Sequence, residues 1–114
     1  MIILSTNSTT PVFEKLMDKS TVVSIGSFAP NRSEVGPDLI KSADRVVVDD
    51  VETARKQCGA IVLAEQFAPI DIKGLGETLI KASPEVSPEE RNIYFSVGLG
   101  IQDAALVELI LERL

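Results

Sequence analysis

Asn92-Ile93-Tyr94-Phe95-Ser96-Val97-Gly98-Leu99-Gly100-Ile101-Gln102-Asp103 is the stretch on which the fold turns. It opens as a run of β-branched and aromatic residues, breaks at Ser96 into small residues, and resumes at Ile101 with helical composition. Three other runs share its first half: Ile2-Ile3-Leu4, Thr21-Val22-Val23-Ser24-Ile25 and Arg45-Val46-Val47-Val48. Most of these runs lack the apolar/polar alternation of a half-exposed strand. They read instead as strands covered on both faces, the habit of parallel sheets.

Helical stretches separate them. Pro11 to Lys19 is short, and Pro37 to Ala43 opens on Pro-Asp and carries Leu39 and Ile40. Val51 to Cys58 is followed by Gly59, read as its C-cap. Ile70 to Ala82 places Ile72, Leu75, Leu79 and Ile80 on one helical stripe. Ile61-Val62-Leu63 fits either a fifth strand or a short helix. The last segment, Ile101 to Leu114, is apolar on more than one face, so it is either sandwiched or meets a partner with its free face. This alternation predicts an α/β fold, with a mainly parallel four- to five-stranded sheet and helices on both faces.

The 114 residues hold one domain, 1–114, and their 45% hydrophobic content suffices for a core. Aromatics make up 4% and Trp is absent, so that core is aliphatic. No histidine is present, which removes the commonest metal ligand and the usual base near neutral pH. The single Cys58 excludes an internal disulfide and a thiolate metal cluster. Eleven Lys+Arg against 17 Asp+Glu give a net charge of −6, which argues against nucleic acid as partner. No apolar run approaches the roughly 20 residues of a membrane span. No signal peptide opens the chain, so the expected compartment is the cytoplasm.

In open parallel sheets, ligands sit outside the carboxyl ends of the strands. Here those ends are followed by Ser5-Thr6-Asn7-Ser8-Thr9-Thr10, Gly26-Ser27-Phe28-Ala29-Pro30-Asn31, Asp49-Asp50 and Ser96-Val97-Gly98. Small hydroxyl, amide and glycine residues suit a polar, nucleotide-like ligand, although turns use the same residues for capping and unusual dihedrals. Gly98-Leu99-Gly100 resembles the start of a dinucleotide fingerprint, but Asp103 stands where the third glycine belongs. An Asp there would repel a pyrophosphate, so this is no phosphate loop. Asp49-Asp50 fits a Mg²⁺ ligand or acid/base pair less well than an N-cap for the following helix. Glu85, Glu89 and Glu90 read as a solvated loop and helix start. Cys58 reads as a small structural side chain.

Taken in order, the loops form a recognisable string. Thr6-Asn7-Ser8-Thr9-Thr10-Pro11-Val12-Phe13 precedes Val23-Ser24-Ile25-Gly26-Ser27-Phe28-Ala29-Pro30-Asn31-Arg32-Ser33-Glu34. Then come Ala43-Asp44-Arg45-Val46-Val47-Val48-Asp49-Asp50, Ser87-Pro88-Glu89-Glu90 and Tyr94 to Asp103. The string resembles the ornithine cyclodeaminase/mu-crystallin family, which also contains alanine dehydrogenases and ketimine reductases. The resemblance covers essentially the whole chain, but only the C-terminal third of a family member. It implies the second half of a Rossmann domain plus a C-terminal helix. It also implies NAD or NADP as cofactor, contacted through Thr6, Asn7, Gly26, Ser27, Ser96 and Gly98.

The departures from the family pattern shape the functional expectation. Phe28 stands where cyclodeaminases carry a catalytic Asp, and Phe95 where the family usually has a polar residue. The family's phosphate loop and substrate-binding Arg and Lys lie upstream of the matched segment. No catalytic and no metal-binding residue is therefore assigned. The expectation is an NAD(P)-binding half-domain, not catalytic alone, whose cofactor binding in isolation is weak or absent. With its first strand Ile2-Ile3-Leu4 a bare sheet edge, it would form a homo-oligomer or pair with a complementary chain. The alternatives are one subunit of a split amino-acid or imine oxidoreductase or cyclodeaminase, and a stand-alone α/β metabolite-binding module.

Overall fold

A computed structural model describes residues 1–15, 18–80 and 90–113. The strands are β1 (Ile2–Leu4), β2 (Thr21–Ser24), β3 (Arg45–Val48), β4 (Lys73–Gly74) and β5 (Asn92–Phe95). The helices are α1 (Pro37–Ser42), α2 (Val51–Gln57), α3 (Gly59–Glu65), α4 (Leu75–Ile80) and α5 (Gly100–Leu111). The four β-branched runs became strands because Val, Ile and aromatic side chains pack on a pleated surface and turn residues bound each run. All neighbouring strands are parallel, in the order β1-β2-β5-β3-β4. The last strand in sequence thus fills the centre. Thr21 and Arg45 both pair with Asn92, and Ser24 and Val48 both pair with Phe95.

Burial alternates along β2, β3 and β5. Val22, Val46, Val48, Ile93 and Phe95 are buried in one cluster with Leu39 and Ile40 of α1, Ala54 of α2, and Ala60, Ile61 and Ala64 of α3, and Ser24 is buried as well. The alternate positions Val23, Val47 and Tyr94 are half-buried. β1 lies at the sheet edge, and its Ile3 is exposed.

Several local expectations change. Phe13, inside the segment read as helix from Pro11 to Lys19, forms an isolated parallel bridge with Val35, and no helix occurs there among the described residues. Its amide and that of Val12 both donate to the Glu34 carbonyl at 3.0 Å, which holds the chain extended. The ambiguous Ile61-Val62-Leu63 belongs to α3, a helix that buries Gly59, Ala60, Ile61 and Ala64 at helical spacing. Within Ile70–Ala82 the helix starts only at Leu75, because Ile72 enters the core from extended chain and Lys73–Gly74 pair with β3. Leu79 and Ile80 are exposed rather than aligned on a core stripe. Lys81 and Ala82, and the loop carrying Glu85 and Glu89, lie outside the described residues.

Cys58 ends α2 as its C-cap, while Gly59 opens α3. The Cys58 side chain is fully buried, and that burial pushes its thiol up to about 11. A thiol whose pKa is raised in the folded state favours folding below its unfolded pKa and opposes it as pH climbs through the folded value. Stability is therefore expected to decline above the ordinary thiol pKa of 9.0. At neutral pH, labelling of Cys58 by a disulfide reagent should require opening of the fold; prompt stoichiometric labelling of native protein would contradict this.

All twelve residues of α5 are exposed, including Leu106, Val107, Leu109 and Ile110. None of its apolar residues joins the buried core. No helix in this part of the chain is long and apolar enough to cross a membrane.

Candidate functional site

Because every strand pair is parallel, the carboxyl ends of β1, β2, β5 and β3 share one sheet edge, in that order. At the usual spacing of about 4.8 Å between strands, these four ends cover roughly 15 Å. All six residues expected to contact a cofactor sit on this edge. Thr6 and Asn7 follow β1, Gly26 and Ser27 follow β2, and Ser96 and Gly98 follow β5. Thr6, Asn7 and Gly98 are exposed, Ser96 is half-buried, and Gly26 and Ser27 are buried.

Glu34 and Asp49 organise the edge, and neither was assigned that role from sequence. Glu34 is fully buried. Its Oε1 accepts from the Thr6 amide and from Thr6 Oγ1, the latter at 2.9 Å. Its Oε2 accepts from Ser24 Oγ at 2.7 Å and from the Gly26 amide at 2.8 Å. The Glu34 amide in turn donates to Ser27 Oγ at 3.1 Å, and Ser24 and Ser27 share a hydroxyl–hydroxyl bond. Burial alone would raise the Glu34 carboxyl, but hydrogen bonds from Ser24, Thr6 and Gly26 outweigh it and hold the group below its ordinary value. Gly26 has no room for a side chain: a Cβ would lie 2.3 Å from Glu34 Oε1 and 2.7 Å from the Asn7 amide nitrogen.

Asp49 does the same for the β5 loop. Its carboxylate accepts from Ser96 Oγ at 2.9 Å, from the Val97 amide at 3.1 Å and from the Gly98 amide at 3.2 Å. Asp50 turns away and caps α2 by accepting from the Thr53 amide at 2.8 Å. The adjacent carboxylates thus part company, and no His/Cys/Asp/Glu cluster among the described residues could hold a metal ion.

This arrangement has a chemical consequence. The amides at Val97 and Gly98 that a phosphate would need in the strand–GxG–helix turn already hold a carboxylate. With Glu34 behind the neighbouring loops, the edge presents two negative charges and repels a further anion. What it can accept at close range is a neutral or cationic polar group lying against the exposed Thr6 and Asn7. Phe28, in the same loop as Gly26, is also exposed and offers an apolar contact. Tyr94 lies within β5, two residues before Ser96; burial, then the nearby Asp49 charge, raises its phenol, which stays protonated at neutral pH.

A groove of about 380 Å³ lies at the opposite end of β3, lined by Ile40, Asp44, Arg45, Ile70 and Lys73 among others. None of the candidate residues lines it. Its main charges are paired nearby, Asp44 with Arg91 at 3.1 Å and Arg45 with Glu90 at 3.1 Å.

Glu34 could have been suspected from sequence as a lone acid amid small residues, Asn31-Arg32-Ser33-Glu34-Val35-Gly36. Nothing local separates the fate of Asp49 from that of Asp50.

No protein-family model matches the chain. Over 120 residues it is 35% identical to a Delta(1)-pyrroline-2-carboxylate reductase of Bacillus cereus (strain ATCC 10987 / NRS 248), with 99% of this chain and 37% of the reductase covered. It is 31% identical to an alanine dehydrogenase of Archaeoglobus fulgidus over 121 residues, again with 99% of this chain and 37% of the relative covered. Among solved structures, a probable ornithine cyclodeaminase from Bordetella pertussis Tohama I superposes with a TM-score of 0.82 at 33% identity. That match covers 92% of this chain and 35% of the other. An archaeal alanine dehydrogenase dimer with bound NAD superposes with a TM-score of 0.81 at 28% identity, over 96% of this chain and 36% of that one. The chain therefore spans little more than a third of the length of these relatives. Its strand order, its loops and its relatives agree: the chain belongs to the ornithine cyclodeaminase family and corresponds to about the C-terminal third of its members.

Proposed function

We propose that residues 1–114 act as the second half of a Rossmann domain with a C-terminal helix, forming the wall against the nicotinamide end of NAD(P). The observation that carries this reading is the sheet edge itself. It is built from small residues, closed to phosphate by Glu34 and Asp49, and open to a neutral or cationic group. The oxidised nicotinamide ring is such a group, and its pyrophosphate would have to be held elsewhere. In this reading the chain is not catalytic alone, works in the cytoplasm, and binds the dinucleotide weakly by itself. Titration of the chain with NADH should give millimolar affinity at best; micromolar affinity would contradict it.

The same reading makes association part of the function, either with further copies or with a chain supplying the first half of the sheet. Two surfaces favour it: the open edge at β1 and the wholly exposed α5. Leu106 and Ile110, one helical turn apart, are 57% and 49% exposed and support nothing in the domain. The double variant Leu106→Glu, Ile110→Glu should leave the melting temperature unchanged while reducing any oligomer to monomer in sedimentation velocity. A wild-type chain that sediments as a monomer at high micromolar concentration would remove the homo-oligomer. Failure to gain NADH affinity when mixed with a polypeptide carrying a G-x-G-x-x-G half-domain would remove the complementary chain.

A further inference from the structure

We infer that Glu34 is the positioning residue of the candidate site, setting the Thr6–Asn7 and Gly26–Ser27 loops in their ligand-facing arrangement before any ligand arrives. The inference deepens the cofactor reading above and rests on it for the identity of the ligand. Glu34 bonds directly to both turns, at Thr6 and at Gly26, while the Arg32 guanidinium adds a second link between these loops at the Asn7 carbonyl. One oxygen serves the β1 loop through Thr6, the other serves the β2 loop through Gly26 and Ser24, and its own amide fixes Ser27. The carboxylate is fully buried. Desolvating an anion is tolerable only when hydrogen bonds replace water, so the donors must stay where they are. Loop geometry at Thr6 and Gly26 is thereby coupled through a single charged group.

Two further features show that this coupling sets loop shape. Asn7 has a left-handed backbone, φ 55°, a conformation that asparagine tolerates better than most residues and that its neighbours here hold in place. The constraint is visible on both sides of it: Glu34 holds the preceding amide of Thr6, and the Arg32 guanidinium donates to the Asn7 carbonyl. Gly26 can approach only because it lacks a Cβ, which would overlap Glu34 and the Asn7 amide together. The positions that face the ligand in the proposed function are thus placed by Glu34, although Glu34 itself is buried behind them. It touches no ligand and is not a catalytic residue.

The test is nitrogen-15 NMR on the full chain. In the wild type, the Thr6 and Gly26 amide protons should resonate far downfield, as amides bonded to a carboxylate do. Glu34→Gln should move both upfield and leave the resonances of Val46, Val48 and Ile93 in place. Thr6→Val, at an exposed position, removes one bond to Glu34 and should move the Gly26 amide across the site. If Glu34→Gln fails to fold, Thr6→Val decides. A Gly26 amide that stays put in the folded variants would overturn the proposal.

Millimolar NADH should produce saturable shifts at Asn7 and Ser27, with the midpoint raised about tenfold in Glu34→Gln. An equal midpoint in a folded Glu34→Gln variant would also overturn it, because a merely structural acid leaves ligand affinity alone. If wild-type resonances ignore NADH altogether, the cofactor reading falls, and Glu34 is judged on the Gly26 amide.

Discussion

Gly59→Ala is expected to remove about 3 kcal/mol of stability, the upper end of what overpacking costs, because nothing near the new methyl can yield cheaply. A Cβ at this position would lie 2.0 Å from the Arg32 carbonyl oxygen and 2.6 Å from that of Ala29. Both are backbone atoms of one tight turn, in which the Arg32 amide donates to the Ala29 carbonyl at 2.8 Å. Alanine is ordinarily the better helix residue by about 1 kcal/mol, so propensity alone predicts the opposite sign. In a domain of this size the loss should lower the melting temperature by roughly 15 °C, followed by circular dichroism. The damage should reach the candidate site, since the Gly59 amide donates to the Ser27 carbonyl at 3.1 Å. A drop under about 1 kcal/mol would mean that the turn from Ala29 to Arg32 moves freely and that Gly59 merely begins a helix.

Phe95→Ala should be comparably severe. Phe95 leads the fully buried side chains in size, on the central strand between Ser24 and Val48. Truncating a buried aromatic typically loses about 3–5 kcal/mol through lost burial and the cavity left behind. In urea, the unfolding midpoint should fall with an unchanged slope, the mark of lost stability without a change in the surface exposed. Phe95→Leu should recover more than half of that loss because it refills most of the space. If alanine and leucine behave alike, the space is being filled by repacking and Phe95 is not the centre of the core. The complete burial of this position accounts for its apolar side chain.

Much of the fold was legible because strand formation here is local. Ile2-Ile3-Leu4, the valine runs and Asn92–Phe95 each carry their own β-branched signal and their own stop. The stretch from Gly59 to Glu65, four of whose seven residues are buried, is different: a short apolar run looks the same as strand or helix until its neighbours are known. The stripe from Ile72 to Ile80 was deceptive for a related reason, since a periodic pattern fits whether or not a core lies beneath it. The insertion of β5 between β2 and β3 is set by pairing between distant segments, to which no local window has access. The site divides along the same line. Its turn residues announced themselves, whereas Glu34 and Asp49 acquire their roles from donors 28 and 47 positions away.

That strand order also governs how the chain must fold. The strand that joins the two flanks of the sheet is made after the four it brings together. Until Asn92–Phe95 arrives, the β1–β2 and β3–β4 pairs each expose an unpaired inner edge and part of the aliphatic layer. Such long-range parallel pairing is slow and leaves the growing chain prone to sticking to others. The nascent domain is therefore at its most aggregation-prone in the interval before Asn92–Phe95 emerges, and chaperone capture belongs there.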